Sequence, residues 1–191
     1  MQNKIFEEDL KYIHDGIDKN KLKGSTILIT GCAGFLGYYM VNYLVKYFDD
    51  LGINKIIGLD SFILSKPIWI NNLFKNNSKK LELYQFDIAR DDIKNIKDAK
   101  KVNYVIHMAS IASPSFYRKY PLITLDANIW GLRQLLDFYK ENKEFKSFLF
   151  FSSSEIYGDP DKNNIPTDEN YHGNVASIGP RACYDESKRF G

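Results

Sequence analysis

The sequence predicts an α/β protein built on a parallel sheet with helices on both faces. Two observations carry that prediction. Short apolar runs alternate with segments of helical periodicity along the chain, the order that parallel strands joined by crossover helices require. The first of those runs, Thr26-Ile27-Leu28-Ile29, passes directly into Thr30-Gly31-Cys32-Ala33-Gly34-Phe35-Leu36-Gly37, three glycines spaced three apart between a strand and a helix. Such a turn suits a dinucleotide. Gly31 allows the tight turn, Gly34 lets the backbone approach a pyrophosphate, and Gly37 lets the helix pack close to the strand. The helix N-terminus then offers free N–H groups and a positive dipole end to the phosphates. The fold class is therefore Rossmann-type, a doubly wound parallel sheet.

The elements follow in order. Ile5, Leu10, Ile13 and Ile17 fall among acids and lysines, so residues from about 4 to 23 read as an amphipathic helix. Residues 1–24 are set apart as an N-terminal helical extension, closed by Gly24, and 25–191 form the dinucleotide-binding domain. Leu36, Tyr39, Met40, Tyr43, Leu44 and Tyr47 recur at helical spacing and predict a helix over 35–48 whose aromatic stripe faces the core. Lys55 to Leu59 is a second strand ending at Asp60. The polar stretch 71–80 is expected to be a loop. Leu81 to Phe86 is a third strand ending at Asp87, and Val102 to Met108 a fourth. A long helical pattern runs from Leu122 to Asn142. Lys146 to Phe151 is a fifth strand, leading into Ser152-Ser153-Ser154-Glu155. Residues 158–178 are rich in Asp, Asn, Gly and Pro and read as a loop. A last helix begins at Pro180, and the chain stops inside it at Gly191.

Composition excludes several classes. Of 191 residues, 44% are hydrophobic and 26% charged, as a globular core requires. Basic and acidic residues number 26 and 24, a net charge of +2, which argues against a dedicated nucleic-acid surface. No apolar run approaches the ~18 residues of a membrane span, and no apolar stretch follows Met1 as a secretory signal would. Cys32 and Cys183 make no disulfide framework, so a reduced, cytoplasmic protein is expected. His14, His107 and His172 stand isolated, no cluster resembles a metal site, and His107 reads as a satisfied structural histidine.

The cofactor is expected to be NAD. Gly31, Ala33, Gly34, Phe35, Leu36 and Gly37 form its cradle. Asp60 lies 23 residues beyond Gly37 at the end of the second strand, where a carboxylate accepts from ribose hydroxyls. Ser61 and Phe62 follow, with no cation before Lys66, so a 2′-phosphate would meet an uncompensated negative charge. Asp87 and Ile88 end the third strand, where an acid can meet the adenine amino group. The fourth strand ends at Met108 and runs into Ala109 and Ser110, whose small side chains let the backbone run close to the cofactor; all three are assigned to the cofactor site.

Tyr184-Asp185-Glu186-Ser187-Lys188 places a tyrosine and a lysine at i and i+4, on one face of a helix. A phenol titrates near 10 and is a poor base at neutral pH unless a neighbouring cation favours its ionised form. Tyr184 could then take the proton of a secondary alcohol while hydride leaves to the cofactor. A hydroxyl of Ser153 or Ser154 could orient that alcohol.

These segments resemble the extended short-chain dehydrogenase/reductases of the sugar-nucleotide epimerase/dehydratase group. The matching parts are Thr30 to Gly37, Asp60, Asp87, His107 to Pro114, Asn128, Ser152 to Gly158 and Tyr184 to Lys188. Within the group, His107 to Pro114, Ser153 to Pro160 and Ile178 to Arg189 are most similar to UDP-glucuronate decarboxylases. The resemblance implies oxidation of C4 of a UDP-sugar with bound NAD, loss of carbon dioxide from the resulting β-keto acid, and reduction of the product ketone. It implies that Ser153 works beside Tyr184, adds Asn128 to the cofactor site, and marks Ser154-Glu155 as the pair that distinguishes decarboxylases from the Asp-Glu of 4,6-dehydratases. It also implies a homodimer through the helix over 122–142 and the Tyr184 helix. Finally, it implies a C-terminal substrate domain with a substrate-binding arginine; no residue of this sequence takes that role, so the chain reads as C-terminally truncated, a piece of a longer protein. A 4-epimerase, a 4-dehydrogenase or dehydratase, and a non-catalytic NAD-binding module remain the alternatives.

Overall fold

The computed structural model describes residues 4–191. Five parallel strands, β1 (Thr26–Thr30), β2 (Lys55–Asp60), β3 (Leu81–Gln85), β4 (Tyr104–His107) and β5 (Ser147–Phe150), form one sheet in the order β3-β2-β1-β4-β5. The chain winds outward from β1 to β3, then returns to β4 on the other side. The direction of winding therefore reverses between β1 and β4, and a crevice opens at their carboxyl ends. In register, Thr30 lies beside Leu59 on one side and His107 on the other.

Period-two alternation in β1 feeds two cores. Ile27 and Ile29 point to one face, where Val41, Tyr43 and Leu44 of α2 (Phe35–Lys46) and Ile70 and Phe74 of α3 (Ile68–Asn76) cover them. Leu28 points to the other, against Ile57, Leu59 and Val105 and against Leu135 and Tyr139 of α5 (Pro121–Tyr139). All five residues of β1 are buried, as a central parallel strand covered on both faces must be.

The N-terminal helix is shorter than expected. α1 (Lys4–Asp15) ends before Gly16, and Asp18 starts a separate 3-10 turn (Lys19–Leu22) by accepting from the Asn20 N–H. Residues 1–3 of the expected extension lie outside the described residues. α1 packs on α2 through Leu10 and through His14, whose ring stacks on Tyr47 at 3.7 Å and bonds Tyr43 Oη and Asp50 Oδ2.

The loop expected over 71–80 is corrected: its first half belongs to α3. Asn71, Asn72 and Lys75 face water and give the stretch its polar look, while Ile70 and Phe74, one turn apart, are buried. Phe74 packs where only Gly58 leaves room, since a Cβ there would come within 2.8 Å of its ring. A short helix, α4 (Pro114–Lys119), precedes α5 and escaped the periodicity because it is only 6 residues long. The last helix, α6 (Ala182–Phe190), packs along α5.

The corrected α3 has a direct check. Ile70→Ala should lower the unfolding free energy by about 2–5 kcal/mol, and Asn71→Ala should stay within about 0.5 kcal/mol of the parent. Equal effects in denaturant titrations would mean that this segment does not present one face to the core.

Candidate active site

The crevice between β1 and β4 opens into a cleft of about 760 Å³. Its floor is the glycine turn. Gly31 has a φ of +69°, and a Cβ there would lie 2.7 Å from the Ala109 nitrogen, so β1 and β4 can pass this closely only with hydrogen at that position. A Cβ on Gly37 would lie 2.4 Å from the Cys32 carbonyl oxygen, which fixes how tightly α2 meets the turn. Gly34 is the N-cap residue of α2 and makes no side-chain cap bond, so the first N–H groups of the helix face the cleft without an internal partner from that residue.

Asp60, at the end of β2, holds the turn from the side. The Ala33 N–H donates to its Oδ2 and the Phe62 N–H to its Oδ1, each at 2.9 Å. Burial raises its pKa, and the two N–H donors oppose that rise. Each carboxylate oxygen keeps a lone pair for a ligand hydroxyl. Ser61, Ile63 and Leu64 continue the wall, and Asp87 and Ile88 close its far end. Asp87 is partly engaged by the Ala89 N–H at 3.0 Å.

On the opposite side, Met108, Ala109 and Ser110 line the cleft. The Ala109 N–H donates to Thr30 Oγ1 at 3.2 Å, and Thr30 Oγ1 is bonded to His107 Nδ1 at 2.7 Å. His107 is fully buried, and burial, with help from the Lys188 charge, pushes it down to about 3. It is therefore a neutral, structural imidazole, but only half satisfied: Nε2 has no partner among the described residues. The Ser110 hydroxyl, in the cleft wall, is likewise buried without one.

α6 delivers Tyr184 and Lys188 to the same cleft. Both are buried, Tyr184 stacked at 5.3 Å on Tyr117 of α4 and Lys188 donating to the Phe151 carbonyl at 2.6 Å. Burial lowers Lys188 to about 8, so it is mostly charged at pH 7. Ser153, Ser154 and Glu155 lie beside the cleft and not in its lining. Ser153 caps the 3-10 turn Ser154–Tyr157 by accepting from the Glu155 N–H at 3.3 Å, Ser154 is exposed, and the Glu155 carboxylate pairs with the guanidinium of Arg181. Asn128 is also outside the cleft. Its amide donates to Ser187 Oγ at 2.9 Å and ties α5 to α6. Tyr117 and Arg181 had no role in the sequence reading. Both contacts join segments remote in sequence, which spacing does not encode.

The donor set fits NAD. The glycine turn carries no Cβ at Gly31, Gly34 or Gly37 on the cleft floor, Asp60 offers spare lone pairs, and the Ser110 hydroxyl in the cleft wall is buried without a partner among the described residues. Among the described residues, no three His, Cys, Asp or Glu side chains cluster to hold a metal, and no helix is long and apolar enough to cross a membrane.

Comparison with known proteins agrees in kind. A family model described as "NAD dependent epimerase/dehydratase family" matches residues 27–191. Over 174 residues the chain is 34% identical to UDP-glucuronic acid decarboxylase 1 of Arabidopsis thaliana, covering 91% of this chain and 35% of that protein. The UDP-glucose 4-epimerase of Thermotoga maritima superposes with a TM-score of 0.65 at 28% identity, over 85% of this chain and 47% of that one. The UDP-Glc/GlcNAc 4-epimerase of Campylobacter jejuni, with a TM-score of 0.67 at 24% identity over 86% and 46%, shares the fold. The chain thus spans about a third of the plant protein and under half of either epimerase.

Two outcomes follow from this geometry. Asp60→Asn should weaken NAD binding about tenfold in calorimetric titration, and an unchanged Kd would remove Asp60 from the cofactor site. The lowered Lys188 pKa has a sign as well. Below about pH 8 the folded state carries a buried ammonium, and that cost is relieved as pH rises from about 8 to 10.5. Across that window the parent should gain up to ~3 kcal/mol on Lys188→Met in denaturant unfolding. Parallel curves would show that the ammonium is not buried.

Proposed function

The chain belongs to the NAD dependent epimerase/dehydratase family, and from that premise we propose that the protein oxidises C4 of a nucleotide sugar, with UDP-glucuronate as substrate and decarboxylation as outcome. One observation carries the chemistry: Tyr184 and Lys188 line the same cleft as the glycine turn and Asp60. When bound, NAD supplies the acceptor and later the donor of hydride. The N-terminus of α2 and the turn from Gly31 to Gly37 would hold its pyrophosphate, Asp60 its ribose hydroxyls, Asp87 its adenine, and Met108 to Ser110 its length.

Tyr184 receives the proton of the C4 hydroxyl. The Lys188 ammonium, anchored on the Phe151 carbonyl one helical turn from Tyr184, supplies the cation of that step. The Ser153 hydroxyl, held by the Glu155 N–H, keeps its own proton free to orient the substrate oxygen. A ketone at C4 lies β to the C6 carboxylate of a uronate. The C5–C6 bond then breaks with its electron pair passing toward the ketone oxygen, carbon dioxide leaves, and C5 takes up a proton. Glu155 bears on the substrate carboxylate with its own charge compensated by the Arg181 guanidinium, so like-charge repulsion acts only as far as that pairing leaves charge exposed.

Ser154-Glu155 and the similarity to a plant decarboxylase support decarboxylation. The likeness to a 28% identical 4-epimerase supports the second reading, a 4-epimerase or a 4-dehydrogenase or dehydratase. A homodimer through α5 and α6 belongs to the same proposal, α5 leaving Leu122 and Trp130 exposed. So does a reducing, cytoplasmic setting, with Cys32 and Cys183 both free thiols.

The test is carbon dioxide release by the whole protein incubated with NAD and UDP-glucuronate. Turnover of UDP-glucose or UDP-galactose with UDP-glucuronate inert would pass the assignment to the second reading. Tyr184→Phe should lower turnover by about 10²–10⁴ with NAD still bound. Retained turnover would take Tyr184 out of the mechanism.

A further inference from the structure

Arg181 breaks a local rule. It occupies the N-cap position of α6, its side chain makes no cap bond, and it sets a cation at the positive end of the helix dipole. Two carboxylates compensate. Its Nη2 contacts Glu155 Oε2, and its Nε lies 3.4 Å from Asp185 Oδ2, one turn along α6. The second bond is long for a charge-assisted pair, and Asp185 Oδ1 is buried with no partner among the described residues. One guanidinium thus serves two carboxylates and leans toward Glu155.

The same contact spans a seam. Segment 151–155 carries Ser153 and Glu155, while α6 carries Tyr184 and Lys188. Two α6 side chains, seven residues and so two helical turns apart, bond that segment: Lys188 to the Phe151 carbonyl and Arg181 to Glu155. Lys188 is the buried bolt and Arg181 the one at the rim, with its side chain 43% exposed. Without it, Glu155 would point into water with its rotamers free.

We infer that Arg181 is a positioning residue, which fixes the Glu155 carboxylate beside the cleft through a guanidinium contested by Asp185. An ordinary half-exposed ion pair contributes little to stability. What distinguishes this pair is that it joins the two segments on which the candidate chemistry is divided. The inference rests on the proposed C4 chemistry insofar as Glu155 is given work there.

Two measurements on the whole protein test it. In turnover of UDP-glucuronate, Arg181→Gln should lower kcat about tenfold or more with KM changed less than about threefold. Arg181→Lys, which keeps the charge without the planar fork, should recover part of the loss. Wild-type kcat in Arg181→Gln overturns the inference. So does a loss that Lys fails to recover and that a fall in Tm accompanies, since that is a folding defect. The second measurement needs no turnover. The ¹⁵N-resolved guanidinium signals of Arg181 should show restricted rotation in the parent, persist in Asp185→Asn, and collapse to the solvent-averaged pattern in Glu155→Gln. Arg181 signals indifferent to Glu155→Gln overturn the inference. If the parent releases no carbon dioxide from UDP-glucuronate, the functional reading fails, and these spectra alone decide whether Arg181 holds Glu155.

Discussion

The cleft depends on how closely the end of β1 passes the end of β4. Gly31, with its positive φ, has the Ala109 backbone where a side chain would be. That approach lets the Ala109 N–H reach Thr30 Oγ1, and Thr30 in turn reaches His107. From this junction the rest is set. β1 and β2 stay in register to deliver Asp60 beside the turn, α2 starts at Gly34 with its N-terminus toward the opening, and β4 aims Ala109 and Ser110 along the opposite wall. A methyl group at position 31 would push two strand ends apart and disturb every one of these placements.

The electrostatics of the interior follow from the same packing. His107 and Lys188 are both denied water, and both lose basicity for that reason. The outcomes differ because their ordinary pKa values differ. The imidazole starts near 6.5 and becomes neutral, while the ammonium starts near 10.5 and stays charged at pH 7. A single dry pocket therefore holds one uncharged ring beside one cation, with no second charge to repel it. The Phe151 carbonyl and the face of Phe150, 4.8 Å from Lys188 Nζ, partner the ammonium where water cannot.

Much of this was legible in the sequence because it is encoded locally. Glycine spacing, an acid at a strand end, alternation in β1 and an i, i+4 Tyr–Lys pair are all short-range patterns, and the structure brings these residues to one cleft. The departures have physical causes. α3 was hidden because only Ile70 and Phe74 of its 9 residues are buried, leaving a polar average. Asn128 sits on the buried seam between α5 and α6, where its amide nitrogen donates to Ser187 while its Oδ1 is buried without a partner among the described residues, and nothing in its neighbours announces that. Glu155 and Arg181 are 26 residues apart across a loop, so their pairing belongs to tertiary structure alone.

Asp60 carries a final consequence. The carboxylate that would receive ribose hydroxyls is the one that tethers the Ala33 and Phe62 N–H groups. Ligand preference and loop architecture are thus written in one side chain. Exchanging this acid for a cation, to suit a 2′-phosphorylated dinucleotide, would take one tether from the glycine turn at Ala33 and one from the loop after β2 at Phe62 in the same step. A change of ligand preference at position 60 is thus also a change of backbone support, unless another acceptor takes up those two N–H groups.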